Sequence, residues 1–340
     1  MKLKGWIGVA LAPLAAIQAG CGEDESVCRG GYALSILGDT VGVLKADGSL
    51  WAWATQHQGS DRPQRETTDA NATGFANGQM CLRLRNGDVS CPLLPFSQQT
   101  FPAHAREVAI WTENGVEGRA CAVLADGTLT CAPPTDFLIM RDPSGPPFTT
   151  IRDGVRNASI GSDHYCAMTN DGELACAPWE TSSAGREQSW NGAGATLSGI
   201  VEVATASDMF WSTSVARDAG GDVWWLQVVV GTDNPVVTID RVLGIDGPVV
   251  QLAAGNRSFC ALRDDGAVFC WENDDYVLPY HAVPYVPQRI VMPQAATAIA
   301  VGPGKSGVSF GCALLEDTTV WCWGAGFGLD GRSQYVASCG

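Results

Sequence analysis

Hydrophobic positions along this chain come in short runs of alternating period, broken every few residues by Gly, Asn or Asp. Runs of that length and period predict strands rather than helices. The clearest example is Phe259-Cys260-Ala261-Leu262-Arg263-Asp264-Asp265-Gly266-Ala267-Val268-Phe269-Cys270-Trp271. Two apolar runs flank Asp264-Asp265-Gly266, which predicts a β-hairpin turning on a three-residue loop. The last loop residue needs φ > 0, a conformation Gly takes without steric cost. In that register Arg263 faces Ala267, Leu262 faces Val268 and Cys260 faces Cys270. Residues opposed on antiparallel strands are near enough for a disulfide, so the hairpin predicts its own cross-link.

The same pattern recurs along the chain. Cysteine pairs with the same spacing stand at Cys81/Cys91, Cys121/Cys131, Cys166/Cys176 and Cys312/Cys322. Hairpins without cysteines are predicted around Leu44–Trp51 and Ala216–Trp224. The loop anchors are Gly48, Gly87, Gly127, Gly172, Gly221, Gly266 and Thr318, spaced 39, 40, 45, 49, 45 and 52 residues apart. Seven imperfect all-strand repeats of this length predict an all-β fold, a seven-bladed β-propeller with hairpin disulfides. Most hairpins follow a strand of small apolar residues: Ile200–Ala204, Val249–Gly255, Ala298–Gly302. Small residues suit the crowded position nearest a propeller axis. Each repeat is then an inner strand, a hairpin, and a fourth strand reached by a long connection.

The first residues change the picture from fold to destination. Lys2 and Lys4 precede an apolar stretch from Gly5 to Ala16, too short to span a bilayer. Ile17-Gln18-Ala19-Gly20-Cys21 reads as a lipobox, with Cys21 as the residue that becomes acylated; Gln18 departs from the usual aliphatic residue. An ordinary secretory signal cut nearby is the alternative, and both export the chain. The expected domains are a lipoprotein signal peptide over residues 1–20, an acidic tether over 21–29 and the propeller over 30–340. The expected location is the cell envelope, as an outer-membrane-anchored lipoprotein facing the periplasm or the surface. Thirteen cysteines agree with an oxidising compartment. Loss of the two leading lysines from 21 basic residues leaves 19 against 36 acids, a net of −17. That sign disfavours nucleic acid and anionic headgroups as partners, and no nucleic acid is expected. Membrane contact is expected through the lipid alone, and the chain is expected to be a monomer.

The repeat has a recognisable relative. Val249–Gly255 followed by Cys260–Val268 resembles the repeat of the regulator of chromosome condensation family. Ile160-Gly161-Ser162-Asp163-His164 keeps that family's Gly-x-x-His, and Trp321-Cys322-Trp323-Gly324 with Gly328-Leu329-Asp330-Gly331 keeps its Trp-Gly and Gly-x-x-Gly tail. The resemblance covers about residues 30–338 and is close only over the second half of each repeat. It implies a seven-bladed propeller. It does not imply the nucleotide-exchange activity of the nuclear founder, because an exported acidic protein meets neither nuclear GTPases nor nucleosomes. Bacterial members with this repeat include secreted proteins that bind other proteins. Cysteine pairs across the hairpins look like an exported variant of the repeat.

Ten hairpin cysteines and Cys21 leave Cys28 and Cys339, at opposite ends of the fold, where a closed ring brings them together. A bond between them is expected to lock the seam; a Cys21–Cys28 bond, or two free thiols, are the alternatives. Each hairpin bond closes a loop of about ten residues, worth about 2–3 kcal/mol by the chain-entropy model. No Cys-x-x-Cys occurs, so zinc is not implied, and neither metal nor cofactor is expected.

Candidate chemistry is thin. His57, His104 and His281 fall in connections without a shared motif, while His164 in its repeat slot is expected to pack rather than catalyse. Gly302-Pro303-Gly304-Lys305-Ser306 imitates the end of a phosphate loop but leads into a strand, where a phosphate site needs a helix N-terminus. Glu272-Asn273-Asp274-Asp275 lacks the spaced ligands of a calcium loop. What remains is surface. Long connections carry Phe137, Trp179, Trp190, Tyr276, Tyr280 and Tyr285, aromatic types that anchor interfaces and that also plug loops onto blades. Trp51, Trp53, Trp271, Trp321 and Trp323 belong to hairpins and are expected in the core. Two functions follow. The first is a lipid-anchored recognition propeller binding a protein or glycan through rim loops. The second is an extracytoplasmic polysaccharide hydrolase or lyase using acids such as Asp233, Asp240 and Asp246 at an axial site.

Overall fold

In the computed structural model, the hairpin at 258–272 has the expected register: Leu262 pairs with Val268, Cys260 with Cys270, and Phe259 with Trp271. Its turn is closed by Gly266 N–H donating to the Arg263 carbonyl at 3.0 Å and by Arg263 N–H donating to Ala267 at 2.9 Å. The Asp265 carboxylate accepts the Ala267 amide two residues on, so aspartate caps the turn that glycine closes. Gly266 has φ 80°, and a Cβ there would meet Ala295 of the next repeat at 2.4 Å. Conformation and close approach both demand glycine. The last hairpin instead holds Thr318 at φ 66°.

The structure describes residues 31–37, 40–54, 64–68, 72–75, 81–86, 88–90, 104–113, 117–132, 135–136, 148–179, 197–207, 212–229, 236–255, 257–272, 286–303, 309–324 and 334–338. Among them, all regular elements are strands, gathered in seven antiparallel sheets. Blade 1 is β1 (Gly31–Leu37), β2 (Thr40–Lys45), β3 (Ser49–Ala54) and β4 (Gln64–Thr68). Blade 2 shows β5 (Ala72–Phe75), β6 (Leu82–Leu84) and β7 (Val89–Ser90). Blade 3 holds β8 (Ala105–Glu113), β9 (Glu117–Leu124), β10 (Leu129–Cys131), β11 (Thr135–Asp136), which folds back on β9, and β12 (Thr149–Arg152). Blade 4 shows β13 (Val155–Ile160), β14 (His164–Thr169) and β15 (Leu174–Pro178). Blade 5 is β16 (Ile200–Ser207), β17 (Ser212–Asp218), β18 (Val223–Val229) and β19 (Val236–Arg241). Blade 6 is β20 (Val249–Ala254), β21 (Ser258–Arg263), β22 (Val268–Glu272) and β23 (Gln288–Ile290). Blade 7 is β24 (Ala296–Pro303), β25 (Ser309–Leu315), β26 (Thr319–Gly324) and β27 (Gln334–Ser338). The fold is the expected seven-bladed β-propeller.

One feature of every blade is invisible in the pattern of the sequence. The inner strand carries a one-residue bulge at its start, as between Val155 and Asn157, Ile200 and Glu202, Val249 and Gln251, and Ala296 and Ala298. A bulge sharpens twist and re-aims the extra side chain. In blades 3 and 4 that side chain is arginine: Arg106 donates to the Val155 carbonyl at 2.6 Å and Arg156 to that of Ile200 at 2.9 Å. Each reaches the next blade.

Hairpin turns join blades as well. The carbonyls of Gly127, Gly172, Gly221 and Gly266 accept the amides of Val155, Ile200, Val249 and Ala296, the first residues of the following inner strands. Disulfides close Cys121–Cys131, Cys166–Cys176, Cys260–Cys270 and Cys312–Cys322, as expected. Cys81 is disulfide-bonded too, while Cys91, Cys21, Cys28 and Cys339 lie outside the described residues.

Each wedge between blades is filled by side chains from both. Leu34, Ile36, Val41, Val43 and Trp53 of blade 1 share one cluster with Ala298, Ala300, Phe310 and Leu314 of blade 7. The first and last blades therefore meet by side-chain packing. The C-terminal strand β27 pairs with β26, completing the last blade rather than crossing to the first. Trp53, Trp271 and Trp323 are buried core, and Trp51 and Trp321 pack partly buried against it.

Candidate functional site

Strand order decides what each rim carries. Because every blade runs up and down, hairpin turns and the links to the next blade emerge on one rim. The turns after the inner strands and the connections into the fourth strands emerge on the other. The first rim is committed to the blade-to-blade hydrogen bonds described above. The second carries the long connections, such as those leaving at Ala54 and returning at Gln64, leaving at Cys131 and returning at Thr149, and leaving at Glu272 and returning at Gln288. A rigid scaffold presenting long connections on one face is the usual arrangement of a binding surface.

On this loop-bearing rim, blades 3 and 4 bring three side chains together. Trp179 follows β15, and its indole N–H donates to the Gly161 carbonyl at 2.9 Å. Its ring lies 4.9 Å from that of Tyr165 on β14. The Arg119 guanidinium, from the start of β9, stacks over the same indole at 3.8 Å from its centroid. Burial lowers the Arg119 pKa to about 10, which still leaves it charged at neutral pH. Among the described residues the guanidinium makes no hydrogen bond and no ion pair beyond this stacking contact.

Beside it, blades 4 and 5 share a buried polar chain. His164 Nδ1 lies 2.8 Å from the Asp163 carboxylate and Nε2 2.9 Å from the Ser214 hydroxyl. A carboxylate only accepts, so Nδ1–H donates to it, while Nε2 shares a hydrogen bond with the Ser214 hydroxyl. Ser214 also meets Thr205 at 2.8 Å, and Ser162, Ser207 and Ser212 extend the set. Gly161 lacks a side chain because a Cβ would strike Ser212 Oγ at 2.1 Å. Aspartate, histidine and serine in this order form the relay of an activated nucleophile. Here Ser214 and His164 are fully buried, and the serine oxygen is enclosed by Thr205 and the Cys166 sulfur. This set pairs hydroxyl and imidazole groups between blades, and neither His164 nor Ser214 is exposed. His164 packs, as its repeat slot implies.

Of the aromatic residues singled out from the sequence, Trp179 is half-buried at the rim, while Phe137, Trp190, Tyr276, Tyr280 and Tyr285 lie outside the described residues. Of the carboxylates considered for an axial site, neither of the two described ones stands near the axis. Asp240 is exposed on the outermost strand of blade 5 and Asp246 is exposed in the link to blade 6; Asp233 lies outside the described residues. The reason is topological: the segment after β18 forms the blade's outer edge, farthest from the axis. His104 occupies the turn before β8 with φ 66°, its carbonyl accepting the Ala125 amide, so its place is structural. Among the described residues no group of three His, Cys, Asp or Glu side chains is placed to hold a metal ion. Arg119 and Tyr165 gave no signal, since they sit inside ordinary hairpin strands and Arg119 is 60 residues from Trp179.

Comparison with known proteins agrees with this architecture. Residues 249–271 match the model of the regulator of chromosome condensation (RCC1) repeat. The chain carries this repeat. Among solved structures, it is similar to Prp20p of Saccharomyces cerevisiae, with a TM-score of 0.51, 13% identity and 80% of each chain covered. That protein was described with its binding to Gsp1p and histones. It is also similar to the β-propeller domain of Cps50 (Swd1) from Myceliophteria thermophila, with a TM-score of 0.50, 12% identity, and 85% and 94% of the two chains covered. At these identities the likeness is one of fold. No curated protein matches the chain by sequence.

Proposed function

We propose that this protein is an exported, lipid-anchored recognition propeller that binds a partner, a protein or a glycan, through the connections of one rim. The observation that carries the reading is the division of labour between rims. Hairpin turns tie blade to blade, while the opposite rim carries the long connections and the Tyr165–Trp179–Arg119 cluster. Tyrosine, tryptophan and arginine are the residue types that dominate binding energy at interfaces. Prp20p, of similar fold, binds Gsp1p and histones, which makes a protein partner the leading reading. The lipobox around Cys21 supplies the anchor, and the envelope supplies the oxidising surroundings in which the hairpin cysteines pair.

Two experiments test this. Pull-down with the exported chain is repeated after residues 273–285 and 137–147 are replaced by Gly-Ser linkers of equal length. Capture should be lost while melting is unchanged; capture that survives both replacements defeats the rim assignment. Cys21→Ser should move the protein from the membrane pellet to the soluble fraction, and a wild type already soluble removes the lipid anchor.

A further inference from the structure

We propose that Arg119, held on the face of Trp179, is an anchor for a carboxylate presented by a partner protein. The proposal rests on the recognition reading above and names the chemistry that one part of that rim reads.

A guanidinium stacked on an indole has one face covered and keeps its rim of N–H donors, a fork that matches a carboxylate in plane. At 3.8 Å from the centroid, Arg119 is in this position. Six other described arginines are already committed. Arg83, Arg217, Arg241 and Arg263 each meet a carboxylate, and Arg106 and Arg156 donate to carbonyls of the next blade. Arg119 has no such acceptor among the described residues, although the chain carries 36 acidic residues. The nearby Asp163 is turned to His164 instead.

The platform is held before any partner arrives. Trp179 is fixed by its indole bond to Gly161, by its backbone N–H donating to the Asp163 carbonyl at 2.8 Å, and by Tyr165 beside it. Tyr165 belongs to a buried apolar cluster with Ala109, Val123 and Ala167, so the platform stands on the core of blades 3 and 4. Little side-chain freedom remains to be lost on binding, which favours affinity. Burial has stripped part of the water from the cation, and a carboxylate replaces what was removed. The occupant that fits is one Asp or Glu side chain next to an apolar residue that covers the indole edge. The net negative charge of the whole chain is screened beyond about 8 Å at physiological salt, so it does not bar a single carboxylate at contact.

The probes are two fluorescein-labelled peptides, Ala-Glu-Leu-Ala with blocked ends and its glutamine twin, titrated by anisotropy at physiological ionic strength. Wild type should bind the acidic peptide about fivefold tighter than the twin, in keeping with a partly exposed charge-assisted contact. Arg119→Gln should erase that preference, and Arg119→Lys, which keeps the charge without the fork, should retain only part of it. If Arg119→Gln melts early, Arg119→Lys together with Trp179→Leu carries the test, both lowering the preference. Equal binding of the twins to wild type, or a preference that persists in Arg119→Gln, overturns the anchor. Displacement of the acidic peptide by digalacturonate as effectively as by unlabelled peptide also overturns it, since the reader would then be of glycans. The anchor alone falls if the twins bind equally while linker replacement still abolishes capture. The recognition reading falls if capture survives that replacement, whatever the peptides do.

Discussion

The two junctions that flank blade 5 share an apolar filling, with Met168, Ile200, Val203 and Leu226 toward blade 4, but differ near the loop-bearing rim. Toward blade 4 the contact near the loop-bearing rim is hydroxyl and imidazole: Ser162, Ser207, Ser212, Ser214, Thr205 and His164. Toward blade 6 it is aromatic: the Trp225 ring meets Phe259 edge-on at 5.3 Å, and Phe259 stacks on Trp271 at 5.8 Å. Val223, Val249 and Leu252 complete that wedge. The two kinds of junction fail differently. An apolar wedge loses contacts in proportion to the volume removed, whereas a polar chain loses the satisfaction of every group that the deleted one served. The aromatic wedge has its own imperfection, since the indole N–H groups of Trp225 and Trp271 find no acceptor among the described residues.

The largest effect is expected from Phe259→Ala, which removes a fully buried ring between two tryptophans. Equilibrium unfolding without reductant should show a loss of about 3–5 kcal/mol. A loss below that of a surface substitution would mean the wedge collapses around the gap.

His164→Ala comes next. It strips the Asp163 carboxylate of its ring partner and leaves the Ser214 hydroxyl only Thr205 and the Cys166 sulfur, and a loss of about 2–3 kcal/mol is expected by the same measurement. Ser214→Ala alone should cost about 1 kcal/mol, and the double variant less than the sum by a similar amount. Strict additivity would dissolve the idea of a polar chain. Equal losses for His164→Ala and a buried Leu→Ala elsewhere would erase the contrast between the junctions.

The smallest effect concerns Glu202, a charged side chain of blade 5 beside the Leu252 backbone of blade 6. Burial raises its pKa above the ordinary 4.5, against the opposing pull of Arg217, whose Nε–H it accepts at 2.9 Å. A carboxyl with a raised folded pKa adds stability below its unfolded value, and that stability is lost as pH rises through the folded value. Wild type should therefore show a shallow fall in unfolding free energy above pH 4.5, and Glu202→Gln should flatten it. A steeper fall in the variant would reverse the assignment.

Much of the fold was legible because hairpins are local. Phe259 to Trp271 contains its own turn residues, its own alternation and its own cross-link, and no distant contact is needed to set that register. The bulges at Val155–Asn157 and Val249–Gln251 were not legible, because the extra residue is defined by the strand it opposes. Asp240 shows the same limit. A carboxylate after a strand reads alike whether the chain next turns to the axis or to the outer edge, and it turned to the edge.

The sequence alone determined the blade: seven repeats, the loop anchors and the opposed cysteines all follow from spacing over a dozen residues, where backbone stereochemistry is decisive. Only the tertiary structure decided what lies between blades. It put Arg119 on Trp179 across 60 residues, gave His164 to Ser214 of the next blade, and lined one junction near the rim with hydroxyls and the other with rings. Those partners are chosen by closure of the ring, which sets side by side the faces of separate sheets that share no local sequence.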